Sequence, residues 1–346
     1  MEIGIYTLAD LGPNPNTGKT ISAHQRLKEI IQAAKMADEL GLDVFGVGEH
    51  HRLDYAVSAP AIVLSAVSQV TKRIKLTTTT TVLNTIDPVR LFEDFATLDL
   101  LSNGRAEIIA GRGAFIESFP LFGYDVNQYD ELFEEHIELF LKLNAEERVT
   151  WSGRFRSPLQ AAEIAPRPLQ KEIPIWVGVG GTPESAARAG RLGTGLALAI
   201  LGGPPNRFKP LVDIYRQAAS QAGHAPESLK VGVTGHAYIS KTTEQAKDEY
   251  YAYHSNYWGY LNRQRGMSTH MSRADFEIMA APETALFVGS SQQIIEKILH
   301  QYELFGHQRF IAQMDIGGMP FEKVAENIER LATEVAPVVR RETGKV

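Results

Sequence analysis

The sequence predicts an α/β protein whose chain closes into a (β/α)8 barrel, a TIM barrel, with insertions after the fourth and the seventh strand. Three observations predict it. Short runs rich in Val, Ile and Thr alternate with helical patterns along the whole chain, and the strand-like runs number eight. Strands that alternate with helices run parallel, because a tight turn cannot return the chain in the same direction and a helical crossover can. The 346 residues suit one barrel with additions, and no change of composition divides them in two, which argues against an open doubly wound sheet beside a second domain.

Ile3 to Leu8 reads as the first strand. A loop rich in Gly, Pro and Asn, Gly12 to Gly18, separates it from an amphipathic helix, Ala23 to Leu40, that Gly41 closes. Asp43 to Glu49 is the second strand, and after a loop to Pro60 a helix runs through Val70. The third strand, Ile74 to Leu83, is dense in β-branched residues and holds five consecutive threonines, Thr77 to Thr81. Pro88 opens the next helix, since the N–H that proline lacks has no partner in a first turn. That helix ends near Ser102-Asn103-Gly104, before the fourth strand, Arg105 to Gly111.

The second half repeats the beat with a helix over Asn127 to Leu143 and strands at Ile173 to Val179, Gly195 to Ile200, Lys230 to Ser240 and Arg309 to Met314. Helices at Pro183 to Leu192, Pro205 to Ala222, from Thr243, Gln292 to Phe305 and Phe321 to Ala336 lie between and after them. Two stretches break the pattern. Residues 147–170 read as a hairpin and a crossing loop, and residues 250–282 sit after strand seven, over the C-terminal mouth where barrel active sites are built. The expected organisation is one domain over residues 1–340 with those two insertions, followed by a tail at 341–346.

Composition excludes several classes. Charged residues make up 22% and hydrophobic ones 44%, an ordinary balance for a folded soluble chain. With no cysteine, disulfide scaffolds, thiolate metal sites and thiol nucleophiles are absent. The formal charge is −6 and the basic residues are scattered, which points away from nucleic acid and from anionic membranes. The first residues carry Glu2 and no basic segment leading into an apolar one, and no run approaches the roughly 20 apolar residues needed to cross a bilayer. A cytoplasmic protein is expected.

Four segments could carry chemistry. Glu49-His50-His51 ends the second strand, where alternation sends the two imidazoles to opposite sides, so they are not a pair that chelates one metal. His50 either satisfies a backbone partner or faces the mouth as a proton-transfer group. Val177 to Ser185 is a strand, a glycine-rich turn and a helix starting at Pro183. Its N–H groups, dipole and hydroxyls suit a phosphate, and the plainer reading is a turn with Thr182 as N-cap. It lacks the third glycine of a dinucleotide fingerprint and the lysine of a P-loop. Gly111-Arg112-Gly113 ends strand four with a guanidinium between small residues, suited to a phosphate or carboxylate, or merely solvated. Tyr250, Tyr251, Tyr253, Tyr257, Trp258 and Tyr260 crowd the second insertion, either as packing within a lid or as the lining of an apolar pocket.

Together these segments resemble the bacterial luciferase-like flavin-dependent monooxygenases. The resemblance rests on Val47-Gly48-Glu49-His50-His51, Asp87-Pro88-Val89-Arg90, Leu98 to Arg105, Gly111-Arg112-Gly113, Phe122-Gly123-Tyr124-Asp125 and Val177 to Ser185, and covers roughly residues 1–200. It implies a barrel that binds reduced FMN, with O2 and a small apolar substrate such as an aldehyde or another carbonyl or aromatic compound as reactants. A separate flavin reductase would supply the reduced FMN, and the protein would be a homodimer. The family's functional histidine falls on His50. The flavin-binding set falls on Glu49, Thr79, Thr80, Gly111, Arg112, Gly180, Gly181, Thr182 and Ser185, with a non-proline cis peptide near Thr79-Thr80 and no metal. Relatives that use a deazaflavin for hydride transfer, and flavin-binding relatives without turnover, are the alternatives. Two departures stand out: where luciferases carry a second phosphate-binding arginine, this chain has Asp130, and where some carry a reactive cysteine it has Gly111, which should leave the flavin more room.

Overall fold

Among the described residues of the computed structural model, 1–113, 115–264 and 271–344, twelve strands form. They are β1 (Glu2–Thr7), β2 (Val44–Val47), β3 (Lys75–Thr78), β4 (Thr81–Val82), β5 (Ile108–Gly111), β6 (Arg148–Trp151), β7 (Leu159–Glu163), β8 (Ile175–Val179), β9 (Gly195–Ala199), β10 (Val231–Ser240), β11 (Phe287–Ser290) and β12 (Arg309–Gln313). Residues 265–270 of the second insertion, residues 345–346 of the expected tail and the side chain of Tyr260 lie outside the described set.

The strands pair in the order β3-β2-β1-β12-β10-β9-β8-β5-β4, all parallel. β3 and β4 are two halves of one stave, interrupted at the cis peptide Thr79-Thr80. β4 pairs with β5, and Leu76 of β3 bridges Ala106 just before β5, so eight staves close on themselves. This is the predicted barrel. Its strands are apolar because helices cover the outside and side chains fill the inside, leaving neither face to water; all ten residues of β10 are buried.

The helices begin and end where the sequence supplies caps. Ser22 accepts from the Gln25 N–H at the start of the helix Ala23–Glu39. Asp87 accepts from the Val89 and Arg90 N–H groups at the start of Pro88–Ser102, which ends on Asn103 in the left-handed region. Beyond that end, the Asp99 carboxylate accepts from the Ala106 and Gln170 backbones, and the Arg105 guanidinium donates to the carbonyls of Ser68, Thr71, Ile74 and Ser102. Leu98 to Arg105 is therefore a clamp that locks two helices to the barrel, not part of the mouth.

The lower, N-terminal end of the barrel is shut by charge. Arg309 is buried, stacks 4.4 Å from the Trp176 ring and pairs with Glu107 at 2.5 Å and Glu2 at 2.6 Å, while Lys75 reaches Glu2 at 2.6 Å.

Several predicted boundaries move. The third strand is broken as described, and the fourth begins at Ile108 because Arg105 is spent on the clamp. The first insertion contains the antiparallel β6–β7 hairpin. After β10 the chain forms the helices Thr243–Gln264 and Arg273–Met279 and then β11, unforeseen, which pairs with the upper half of β10 from Ala237 to Ser240. The final helical run does not stop at Ala336 but passes through a π turn at Leu331–Val335 and continues to Thr343.

Candidate active site

A cavity of about 360 Å³ opens at the C-terminal ends of the staves. Of the predicted residues, Glu49, His50, Thr79, Thr80, Gly111, Arg112, Gly180 and Thr182 line it. Gly181 and Ser185 stand at its rim, Ser185 buried and Gly181 exposed with φ +145°.

β2 stops at Val47, so the alternation expected for Glu49-His50-His51 does not apply; the segment is a loop and both imidazoles border the cavity. They have different surroundings. His51 Nε2 donates to Glu49 Oε1 at 2.9 Å, and the other oxygen of Glu49 accepts from the Val82 N–H at 3.1 Å. Glu49 thus ties the end of the second stave to β4. The His50 ring packs 4.0 Å from Tyr55 and 5.3 Å from Phe115, and its Nε2 is shielded from solvent with no hydrogen-bond partner. Burial pushes its pKa down to about 4, against the opposing pull of Asp54, so the ring is neutral at neutral pH.

Thr79 and Thr80 fill the barrel interior beneath the cavity. A Cβ on Gly111 would fall 2.6 Å from Thr80 Oγ1, one on Gly178 2.9 Å from Thr80 Cγ2, and one on Gly46 2.7 Å from Thr79 Cγ2. The three glycines make way for two threonines. The extra room expected at Gly111 is therefore already taken by Thr80, which corrects that expectation.

The anion cradle has the donor set a phosphate monoester needs. Thr182 precedes the helix Pro183–Arg191 but makes no capping hydrogen bond, so its hydroxyl is not committed to the helix as the plainer reading required. No atom comes within 4 Å of a Cβ built on Gly180 or Gly181, which leaves open space in front of the helix start. Arg112 leans from the end of β5, donates to Ser185 Oγ at 2.9 Å and stacks 4.9 Å from the Tyr129 ring. Asp130 complicates the electrostatics. Its carboxylate accepts from the other amino group of Arg112 and lies 3.8 Å from Arg188, which is paired with Glu134 at 2.6 Å.

Across the barrel stand three further residues that the sequence analysis missed. Tyr6, Gln313 and His236 occupy one register row on the adjacent strands β1, β12 and β10, and all three line the cavity. Gln313 stands out in retrospect as the polar end of the otherwise apolar Phe310 to Met314, and His236 interrupts a run of small and apolar residues. Over them lies the helix Thr243–Gln264, whose Tyr257 ring meets His236 edge-on at 5.3 Å. Tyr250 and Tyr253 are buried in the packing of this lid, and Trp258 Nε1 donates to His254 Nε2 at 2.9 Å. Of the insertion aromatics, Tyr257 borders the cavity.

Among the described residues no three His, Asp or Glu side chains are grouped so as to hold a metal ion, and no helix is long and apolar enough to cross a membrane.

A family model described as luciferase-like monooxygenase matches residues 1–308. The chain is 24% identical to the oxygenase component of a flavin-dependent trigonelline monooxygenase from Acinetobacter baylyi, over 90% of each chain. It is 31% identical to an F420-dependent glucose-6-phosphate dehydrogenase from Amycolatopsis mediterranei, over 58% of this chain and 62% of the relative. The crystal structure of the monooxygenase RslO1 from Streptomyces bottropensis superposes with a TM-score of 0.85 at 27% identity, covering 98% of this chain and 99% of that one.

Proposed function

Since the chain belongs to the luciferase-like monooxygenase family, an oxidoreductase family whose members use flavin or deazaflavin, we propose that it is an FMN-dependent monooxygenase acting on a small carbonyl or aromatic compound. The observation that carries this reading is the pairing, across one cavity, of a phosphate cradle at Arg112, Thr182 and Ser185 with a solvent-shielded, unpartnered imidazole at His50.

Reduced FMN, when bound, would supply the two electrons that activate O2, one of whose oxygen atoms would go to the substrate and the other to water. The chain's own residues do the rest. Arg112 and the N–H groups at the start of Pro183–Arg191 hold the phosphate, with the hydroxyls of Thr182 and Ser185 beside them. Glu49 fixes the loop that presents His50 by its bonds to His51 and Val82. His50, neutral, accepts or donates one hydrogen bond at Nε2 and can take up a proton released at the reacting edge. Tyr55 and Phe115 packed on His50, with Tyr257 of the lid, would keep water from that edge.

A separate reductase as the source of reduced FMN is supported by the trigonelline relative, which is itself named an oxygenase component. A homodimer would use the exposed Ile62, Leu100 and Leu101 on the neighbouring helices Pro60–Ser68 and Pro88–Ser102.

The test mixes the protein anaerobically with reduced FMN, admits oxygen and follows the return of the oxidised flavin band. Reoxidation slower than that of free reduced FMN is expected, and reoxidation at the free rate removes the monooxygenase reading. A parallel titration with the deazaflavin F420 decides the cofactor, since tighter binding than FMN would replace oxygen transfer by hydride transfer. With a working substrate, His50→Ala should lower kcat roughly 100-fold while FMN affinity holds. An unchanged kcat would remove His50 from the chemistry.

A further inference from the structure

The row Tyr6, Gln313 and His236 has no part in the reading above, yet it holds a concentration of unsatisfied polarity that is costly to bury. Gln313 is fully buried, and neither its Oε1 nor its Nε2 has a hydrogen-bond partner. His236 is equally buried, and both of its ring nitrogens are unpartnered. Buried amides and imidazoles in folded proteins are almost always satisfied, because each orphaned group forfeits the hydrogen bonds that water gave it in the unfolded chain. A purely apolar substrate would leave that debt standing. A leucine and a phenylalanine at the same two positions would serve such a substrate better.

The two side chains are also placed to act together. Gln313 is the register partner of His236 on one side and of Tyr6 on the other, so amide, imidazole and phenol point into the cavity from three consecutive strands. The phosphate cradle stands on the staves β5 and β8, which lie on the opposite side of the ring from β1 and β12. The row is therefore the far wall of the site. A primary amide offers a donor and an acceptor side by side, and its best complement is a planar group offering an acceptor and a donor side by side.

We propose that Gln313 and His236 form the recognition site for the substrate's polar edge, and that the substrate is a cyclic molecule carrying a carbonyl next to an N–H or hydroxyl, as in a lactam or a hydroxy-ketone. Gln313 Nε2 donates to the carbonyl, Gln313 Oε1 accepts from the neighbouring N–H or O–H, and His236 supplies a further hydrogen bond. This rests on the monooxygenase reading and narrows its substrate class from small carbonyl or aromatic compounds to those with a polar edge.

The test uses four ring compounds of similar size on the protein saturated with oxidised FMN, measured by calorimetric titration: 2-quinolone, 3-hydroxychromone, 1-tetralone and naphthalene. Expected is binding of 2-quinolone or 3-hydroxychromone at least tenfold tighter than of 1-tetralone and naphthalene, the preferred one identifying the donor as N–H or hydroxyl. Gln313→Leu should erase that preference and His236→Leu should reduce it, both with unchanged FMN affinity. Gln313→Leu should also melt at a higher temperature than the parent, a gain that a glutamine held for structural reasons would not give. Naphthalene binding as tightly as 2-quinolone and 3-hydroxychromone, a preference that survives Gln313→Leu, or a loss of FMN affinity in either variant would overturn the proposal. Failure of FMN itself to bind the parent protein would instead overturn the cofactor reading, and the same four titrations on the flavin-free protein would still decide the row.

Discussion

If the proposed phosphate site holds, Asp130 sets how firmly it can bind its ligand. Arg112 reaches the cradle already engaged by the Asp130 carboxylate, and Arg188 is engaged by Glu134, so an incoming phosphate competes with the protein's own acids for its cations. Because the Asp130 side chain is largely exposed, solvent screens the pair and the competition is moderate. Asp130→Asn should tighten FMN roughly fivefold, equivalent to about 1 kcal/mol. Riboflavin, which has no phosphate, should bind as before, and raising the salt should shrink the difference. Flavin fluorescence titrations would check all three, and an equal gain for riboflavin would mean that Asp130 acts on shape and not on charge. At this scale the sequence was readable where a residue type was unusual for its place, as with Asp130 itself or Arg112 between two glycines. Gln313 and His236 were not readable, since an isolated polar residue in a strand declares neither the side it faces nor whether it finds a partner.

At the scale of elements, the second insertion is anchored by one amine. Lys297, in the helix Ser291–Phe305, is buried and donates to the carbonyls of Ala281, Thr284 and Leu286, which belong to the segment leading from the lid into β11. Burial lowers its pKa to about 8, against the pull of Glu283. Lys297→Met fills a similar volume but leaves three carbonyls without their donor, and should cost roughly 2–4 kcal/mol of stability. Denaturant titration would measure the loss, and hydrogen exchange should rise first in residues 280–290. Exchange that rises evenly over the barrel would show that the lysine supports the fold as a whole. Most elements were legible because the pattern of a buried parallel strand differs from that of a capped amphipathic helix, as Asp87, Pro88 and Asn103 illustrate at the two ends of one helix. The residues themselves did not mark the break between β3 and β4, because Thr77 to Thr81 are uniformly suited to a strand; the family resemblance alone pointed to the cis peptide, which lies at Thr79-Thr80 as expected. β11 escaped notice because four residues hydrogen-bonded to the end of a longer strand carry too little periodicity to read.

For the whole molecule, the buried histidines set an acid limit. Burial depresses His236 to about 4 and His307 to about 3, below the ordinary imidazole value of about 6.5. Between that value and the folded one, the unfolded chain takes up protons that the folded chain refuses, so their contribution is complete above about pH 6.5 and is lost as the pH falls. By pH 5 each should have cost about 2 kcal/mol. Urea unfolding at pH 7.5 and pH 5 should show the parent losing stability on acidification and His236→Leu losing less. An equal loss in both would place the acid sensitivity elsewhere. The barrel itself was legible from the eightfold alternation, while the ion cluster beneath it was not, since Glu2, Lys75, Glu107 and Arg309 come together from four distant points of the chain only once the staves close.

That same cluster closes one end of the barrel and leaves the cavity at the other. With Arg309 and Trp176 closing the floor among the described residues, the proposed cofactor, substrate and product would share the mouth at the C-terminal ends of the staves. Traffic through a shared mouth has an order. On the proposed function, whichever ligand lay nearer the entrance would detain the one behind it, so that the last to enter would be the first to leave.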